Sequence, residues 1–88
     1  MAYRIDFVPS AAKELAKLPA KERQKIGDRI GDLATEPRPH GAEKLTGFDA
    51  YRVRVGDYRF VYEVHDKVLV VLVIAVGDRK QIYKRLKE

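Results

Sequence analysis

Cysteine and tryptophan are absent from the 88 residues, and serine and methionine each occur once. Without cysteine there is no disulfide, no thiolate metal site and no cysteine nucleophile, an inventory that fits a reducing compartment. The single serine, Ser10, stands where it can cap a helix, so no serine–histidine–acid set can be assembled around it. The two histidines, His40 and His65, fall in unrelated loops, and no pair of residues has metal-ligand spacing. No glycine-rich stretch matches a phosphate-binding fingerprint. Long apolar runs are missing too: "VLVVLVIAV", residues 68–76, has nine residues where a spanning helix needs about 20. The opening "MAYRIDFVPS" alternates apolar and charged residues and lacks a signal peptide's apolar stretch. These absences predict a soluble, cytoplasmic protein with no membrane partner, no metal and no cofactor.

What is present is charge. Eighteen basic against 13 acidic side chains give net +5, which favours polyanionic partners such as nucleic acid or acidic protein segments. A chain of this length makes one domain, whose core buries about 60–65% of the unfolded surface.

The pattern along the chain predicts an α+β fold. Tyr3, Ile5 and Phe7 alternate with Arg4 and Asp6 as a first strand that Pro9 ends. A helix capped by Ser10 follows over "AAKELAKL", with Ala11, Leu15 and Leu18 as its apolar stripe. A second helix over residues 20–35 carries Ile26, Ile30, Leu33 and Ala34 on one face; Gly27 and Gly31 inside it imply close approach of a neighbour. "EPRPHGAEKLTGFDA" is a loop punctuated by proline and glycine. A three-strand antiparallel meander then ends in the strand 68–76, apolar on both faces and so covered on both. Gly77 closes that strand, and "DRKQIYKRLKE" is a short basic tail with partial helical character. Both helices are expected on one face of the sheet.

Within the meander, "YRVRVGDYRF", residues 51–60, forms a hairpin around Gly56 and Asp57. That register places Arg54 directly opposite Arg59, with Arg52 two residues away on the same face and Val61 and Glu63 beside them. Facing like charges cost roughly 0.2–1 kcal/mol, so stability does not explain this face. The topology brings Arg79 and Tyr83 towards it. Guanidinium groups grip phosphate oxygens in pairs and keep their charge in any environment, which suits such a cluster to phosphate binding. The other reading is a solvated basic face balanced by Asp49, Asp57, Glu63 and Asp78.

"EKLTG", "YRVRVGDYRFVYEV" and "VLVVLVIAVGDRKQIY", in that order and preceded by "AYRIDFVPSAAKELAKL", resemble the RelE branch of the RelE/ParE superfamily of bacterial toxins from toxin–antitoxin modules. The likeness spans nearly the whole chain and implies a single RelE-like toxin domain over residues 1–88. RelE toxins are mRNA interferases that cut messenger RNA in the ribosomal A site. The resemblance therefore implies an endoribonuclease in which a ribose 2′-hydroxyl attacks the adjacent phosphate and leaves a 2′,3′-cyclic phosphate. Carried over residue by residue, the implied catalytic groups are Arg59, Arg79 and Tyr83, and the implied RNA-binding groups are Arg52, Arg54 and Lys80. Tyr83 would orient the 2′-hydroxyl, stack on a base or serve as the base. Two lysines of the family pattern are arginines here, and the interval from Arg79 to Tyr83 is shorter; arginine cannot act as a general base.

The implied partners are a cognate antitoxin, RelB-like or of another class, and the 70S ribosome with its mRNA. The antitoxin peptide would cover the basic face or displace the C-terminal segment. ParE-like relatives share the fold but poison DNA gyrase by binding. A gyrase inhibitor, or a basic RNA- or ribosome-binding module without catalysis, are the readings that compete.

Overall fold

Alternation in "RIDF" produces β1 (Arg4–Phe7), but proline acts one step later than expected. In this computed structural model, which describes residues 2–87, Pro9 begins helix α1 (Pro9–Ala16) at the position where its missing N–H costs nothing. The cap is the extended Val8, whose carbonyl receives the N–H groups of Ala11 and Ala12; Ser10 lies inside the helix and caps nothing. Helix α2 (Ala20–Asp32) starts after Pro19 and buries Ile26 and Ile30, with Leu33 buried just past its end. The expected close approach at Gly27 and Gly31 is not formed. A Cβ at either position would meet no atom within 4 Å, because both glycines lie off the buried line of Ile26, Ile30 and Leu33.

Strands β2 (Glu43–Lys44), β3 (Tyr51–Val55), β4 (Tyr58–His65) and β5 (Val70–Asp78) complete a five-stranded sheet in the order β1-β5-β4-β3-β2. The meander of β3, β4 and β5 is present as predicted, and the fold is α+β. The edges differ: β1 joins β5 in parallel, and a two-residue strand emerges from the proline-rich loop to pair with β3. The last strand also starts two residues later than the apolar run, since residues 66–69 are needed to turn between β4 and β5, with Leu69 at φ +54°.

The basic tail is a full helix, α3 (Arg79–Lys87), and it packs on the opposite face of the sheet from α1 and α2. Two apolar layers result. Phe60, Tyr62, Val71, Val73 and Val76 pack with Ala11, Ile26, Ile30 and Leu33; Val61, Ile74 and Ala75 pack with Ile82 and Leu86. Coverage of β5 on both sides and the packing of α1 and α2 on one face are therefore as expected, and α3 supplies the cover on the other face.

One extra residue in β5 makes this arrangement. Val61 pairs with Ala75 and Tyr62 with Val73, leaving Ile74 as a bulge. Ile74 and Ala75 consequently both face α3, and Val76 returns to the α1–α2 side. The bulge shifts the alternation so that Gly77 stands opposite Arg59.

Pairing with β1 stops at Val73, and beyond it side chains satisfy backbone groups of β5. Glu14 Oε1 accepts the Val76 N–H at 3.2 Å, and Arg85 Nη2 donates to the Ile74 carbonyl at 2.6 Å and to Ser10 Oγ at 2.7 Å. Among the described residues, no helix is long and apolar enough to cross a membrane.

Candidate active site

The turn that places the arginines is set by Gly56, whose φ of +61° is one that side chains resist; Asp57 has no positive φ. This is the II′ pattern, which follows the twist of the flanking strands. The register is the expected one, with Val55 opposite Tyr58 and Arg54 opposite Arg59. Arg52 lies on the same face of β3, two residues before Arg54.

The fourth arginine comes from α3. Asp78 Oδ1 accepts the Gln81 N–H and Gln81 Oε1 accepts the Asp78 N–H, both at 2.9 Å, a reciprocal cap that starts the helix immediately after β5. Arg79 is therefore the first helical residue, and Tyr83 lies one turn further along the same face. The Gln81 side chain folds back over Gly77, where a Cβ would sit 2.6 Å from Oε1 and 2.9 Å from Cβ of Gln81. "DxxQ" at residues 78–81 was the available signal for a helix here.

These elements enclose an open cleft of about 520 Å³ lined by Arg52, Arg54, Arg59, Arg79 and Tyr83 together with Phe48, Ile82 and Leu86. Five of the six predicted site residues thus meet in one place. Lys80 is exposed and lies outside the cleft walls, because the residue after Arg79 points off another side of the helix. His40 is exposed in its loop, and His65 Nε2 contacts Glu63 Oε1 at 2.9 Å; neither lines the cleft.

The charge balance of the cleft is uneven. Glu43, on β2, meets Arg52 Nη2 at 3.3 Å and lies 3.9 Å from Arg54 Nε. Among the described residues, no carboxylate forms an ion pair with Arg59 or Arg79. Of the acids expected to balance this face, Asp49 pairs with Lys44, Glu63 with His65, and Asp78 caps α3. Among the described residues, the Nε–H groups of Arg52 and Arg59 are buried and have no hydrogen-bond partner. Burial, and then the charges of Arg54, Arg52 and Arg79, hold the Arg59 pKa below its ordinary value. Such a site resists its own charge and is relieved by an anion.

Glu43, Phe48, Ile82 and Leu86 were not legible as site residues. Glu43 becomes one only through the register Glu43 to Arg52, and the three apolar residues only because α3 and the loop before β3 meet across the sheet.

Fold and cleft together define a class of small basic α+β proteins that carry an arginine-lined cleft between a β-hairpin and a C-terminal helix. Residues 5–83 match the family described as ParE toxin of type II toxin–antitoxin system, parDE. The chain is 38% identical over 84 residues to the mRNA interferase toxin RelE of Escherichia coli (strain K12), covering 92% of this chain and 87% of that protein. The free-state structure of an E. coli RelE mutant superposes with a TM-score of 0.80 at 33% identity, over 99% of this chain and 97% of that one. The toxin of the intact E. coli RelBE toxin–antitoxin complex matches with a TM-score of 0.79 at 35% identity, over 88% and 96%. The chain belongs to the RelE/ParE toxin family of type II toxin–antitoxin systems.

Proposed function

We propose that this toxin is a ribosome-dependent endoribonuclease that cuts mRNA in the A site and stops translation, and that a cognate antitoxin, RelB-like or of another class, holds it in check. The observation that carries the reading is Arg59: a half-buried guanidinium set among three other arginines, with a buried Nε–H that has no hydrogen-bond partner and no ion-paired carboxylate among the described residues. A phosphodiester supplies what that group lacks.

In the proposed reaction the ribose 2′-oxygen bonds to phosphorus, the bond from phosphorus to the 5′-oxygen breaks, and a 2′,3′-cyclic phosphate remains. One proton leaves the 2′-hydroxyl and one reaches the departing 5′-oxygen. Arg59 and Arg79 stabilise the dianionic phosphorane, each such donor being worth roughly 10²–10³ in rate. Arg52 and Arg54 hold the flanking backbone, with Glu43 fixing the orientation of Arg52. Tyr83, one turn from Arg79, orients the 2′-hydroxyl or shares in proton transfer. Lys80, outside the cleft, contributes long-range charge to RNA approach. The ribosome supplies the RNA geometry that a cleft without a strong general base needs.

The test compares cleavage of an A-site codon on a programmed 70S ribosome with cleavage of the same RNA free in solution, beside a gyrase supercoiling assay. Rapid cutting on the ribosome, reduced about 10²–10³-fold by Arg79→Ala, is expected. Inhibited supercoiling with intact mRNA would replace this reading with the gyrase one.

A further inference from the structure

Half of the cleft is not basic. Phe48, Ile82 and Leu86, with Tyr83, line the same space as the arginines. Ile82 and Leu86 have a packing role, since both belong to the layer with Val61 and Ala75. Phe48 belongs to neither apolar layer, and it is 46% exposed.

The chain holds Phe48 there by construction. The Leu45 N–H donates to the Ala50 carbonyl at 2.9 Å, closing a tight loop whose turn needs Gly47 at φ +82°. Ala50 is buried and Leu45 packs beside it, so the loop is anchored at both ends while its tip carries an aromatic ring to the rim of the cleft. Lys44 and Asp49 pair at 3.6 Å across its base.

We infer that Phe48 is a base-stacking residue and that the apolar half of the cleft, with Phe48 at its rim, receives the nucleobase next to the phosphate held by the arginines. A nucleotide has the same division: an anionic phosphate and a flat, largely apolar base. The cleft volume is within the range of about 300–1,000 Å³ typical of small-ligand pockets, enough for one nucleotide. Aromatic rings accept any base face, so this subsite gives grip with little sequence reading. The inference rests on the nuclease reading, and its test separates the two.

Single-turnover cleavage on programmed ribosomes is measured for the parent and for Phe48→Ala, on mRNA with normal nucleotides and on mRNA with an abasic nucleotide on either side of the scissile phosphate. The parent should lose about tenfold or more at one of the two abasic positions, and Phe48→Ala should lose a similar factor on normal RNA. On that abasic RNA the parent and Phe48→Ala should cut at equal rates, because the ring has no partner left. Phe48→Trp should retain activity on normal RNA. Since Phe48 supports no core layer, an unchanged thermal midpoint confirms that the variant is folded. Losses that multiply instead of merging would overturn the stacking role, as would parental cleavage by Phe48→Ala accompanied only by weaker antitoxin binding. Absence of cleavage by the parent on any RNA would instead sink the nuclease reading itself.

Discussion

Glu14 and Arg85, 71 positions apart in the chain, meet at 2.8 Å and together satisfy two backbone groups of β5 beyond the point where β1 stops pairing with it. Their pair ties α1 to α3 along the bulged strand, and α3 carries Arg79 and Tyr83. Glu14→Gln keeps the shape but weakens the link. It should cost about 1–3 kcal/mol, since partly buried donors lose a charged acceptor, and a urea midpoint measures it. Cleavage should fall with it, and hydrogen exchange should quicken in α3 while α2 keeps its protection. Uniform acceleration across the chain would contradict the specific link to α3.

Gly77 and Gln81 are coupled through space. Gly77→Ala drives a Cβ into Gln81 and breaks the reciprocal cap with Asp78, at a cost of about 0.5–2 kcal/mol. In a Gln81→Gly background both the amide and the Cβ that obstruct the site are gone, and the same Gly77 substitution should cost only a few tenths of a kcal/mol. Equal costs in both backgrounds, read from denaturant curves, would refute the coupling.

Arg59 is expected to trade stability for activity. Arg59→Gln removes one charge from a face where Arg54 stands directly opposite, and relief of like-charge pairing is worth about 0.2–1 kcal/mol. The variant should melt higher than the parent at low salt, with the gap narrowing as ionic strength screens the repulsion. It should also lose about 10²–10³ in cleavage rate. A variant less stable than the parent at every salt concentration would show that Arg59 is structural.

Gly31 lies exposed in α2 with open space where a Cβ would project. Gly31→Ala should raise stability by about 0.5–1 kcal/mol through helix propensity alone and leave cleavage unchanged. A loss of stability would mean that the position has a neighbour after all.

Acid unfolding should report Asp66. The Arg38 fork, with contacts at 2.8 and 3.2 Å, and then the Tyr3 hydroxyl at 2.6 Å hold its carboxyl at about 2, below the ordinary 3.8. A depressed folded-state pKa stabilises the protein above the unfolded value. The contribution is fully present above about pH 4 and disappears as pH falls towards 2. Asp66→Asn should therefore lower stability at neutral pH and flatten the curve between those limits. An unchanged slope in that window, measured by denaturation at stepped pH, would contradict the assignment.

The hairpin was legible because it is local. Two central turn residues and period-two alternation define which side chains share a face, so Arg52, Arg54 and Arg59 could be grouped from the chain alone. Their meeting with Arg79 and Tyr83 could be anticipated only from topology. The sequence by itself determined the α+β class, the meander, the excess of arginine and the position of the turn, because each depends on contacts a few residues apart. Tertiary structure decided the rest. It placed α3 on the second face, paired Glu43 with Arg52, brought Phe48 to the cleft and shifted the alternation of β5 by one residue at Ile74. The run 70–76 is apolar throughout, so its own alternation cannot say where a bulge falls; that is decided by how β5 pairs with β4 at Val61 and Tyr62 and by the apolar layers on its two faces.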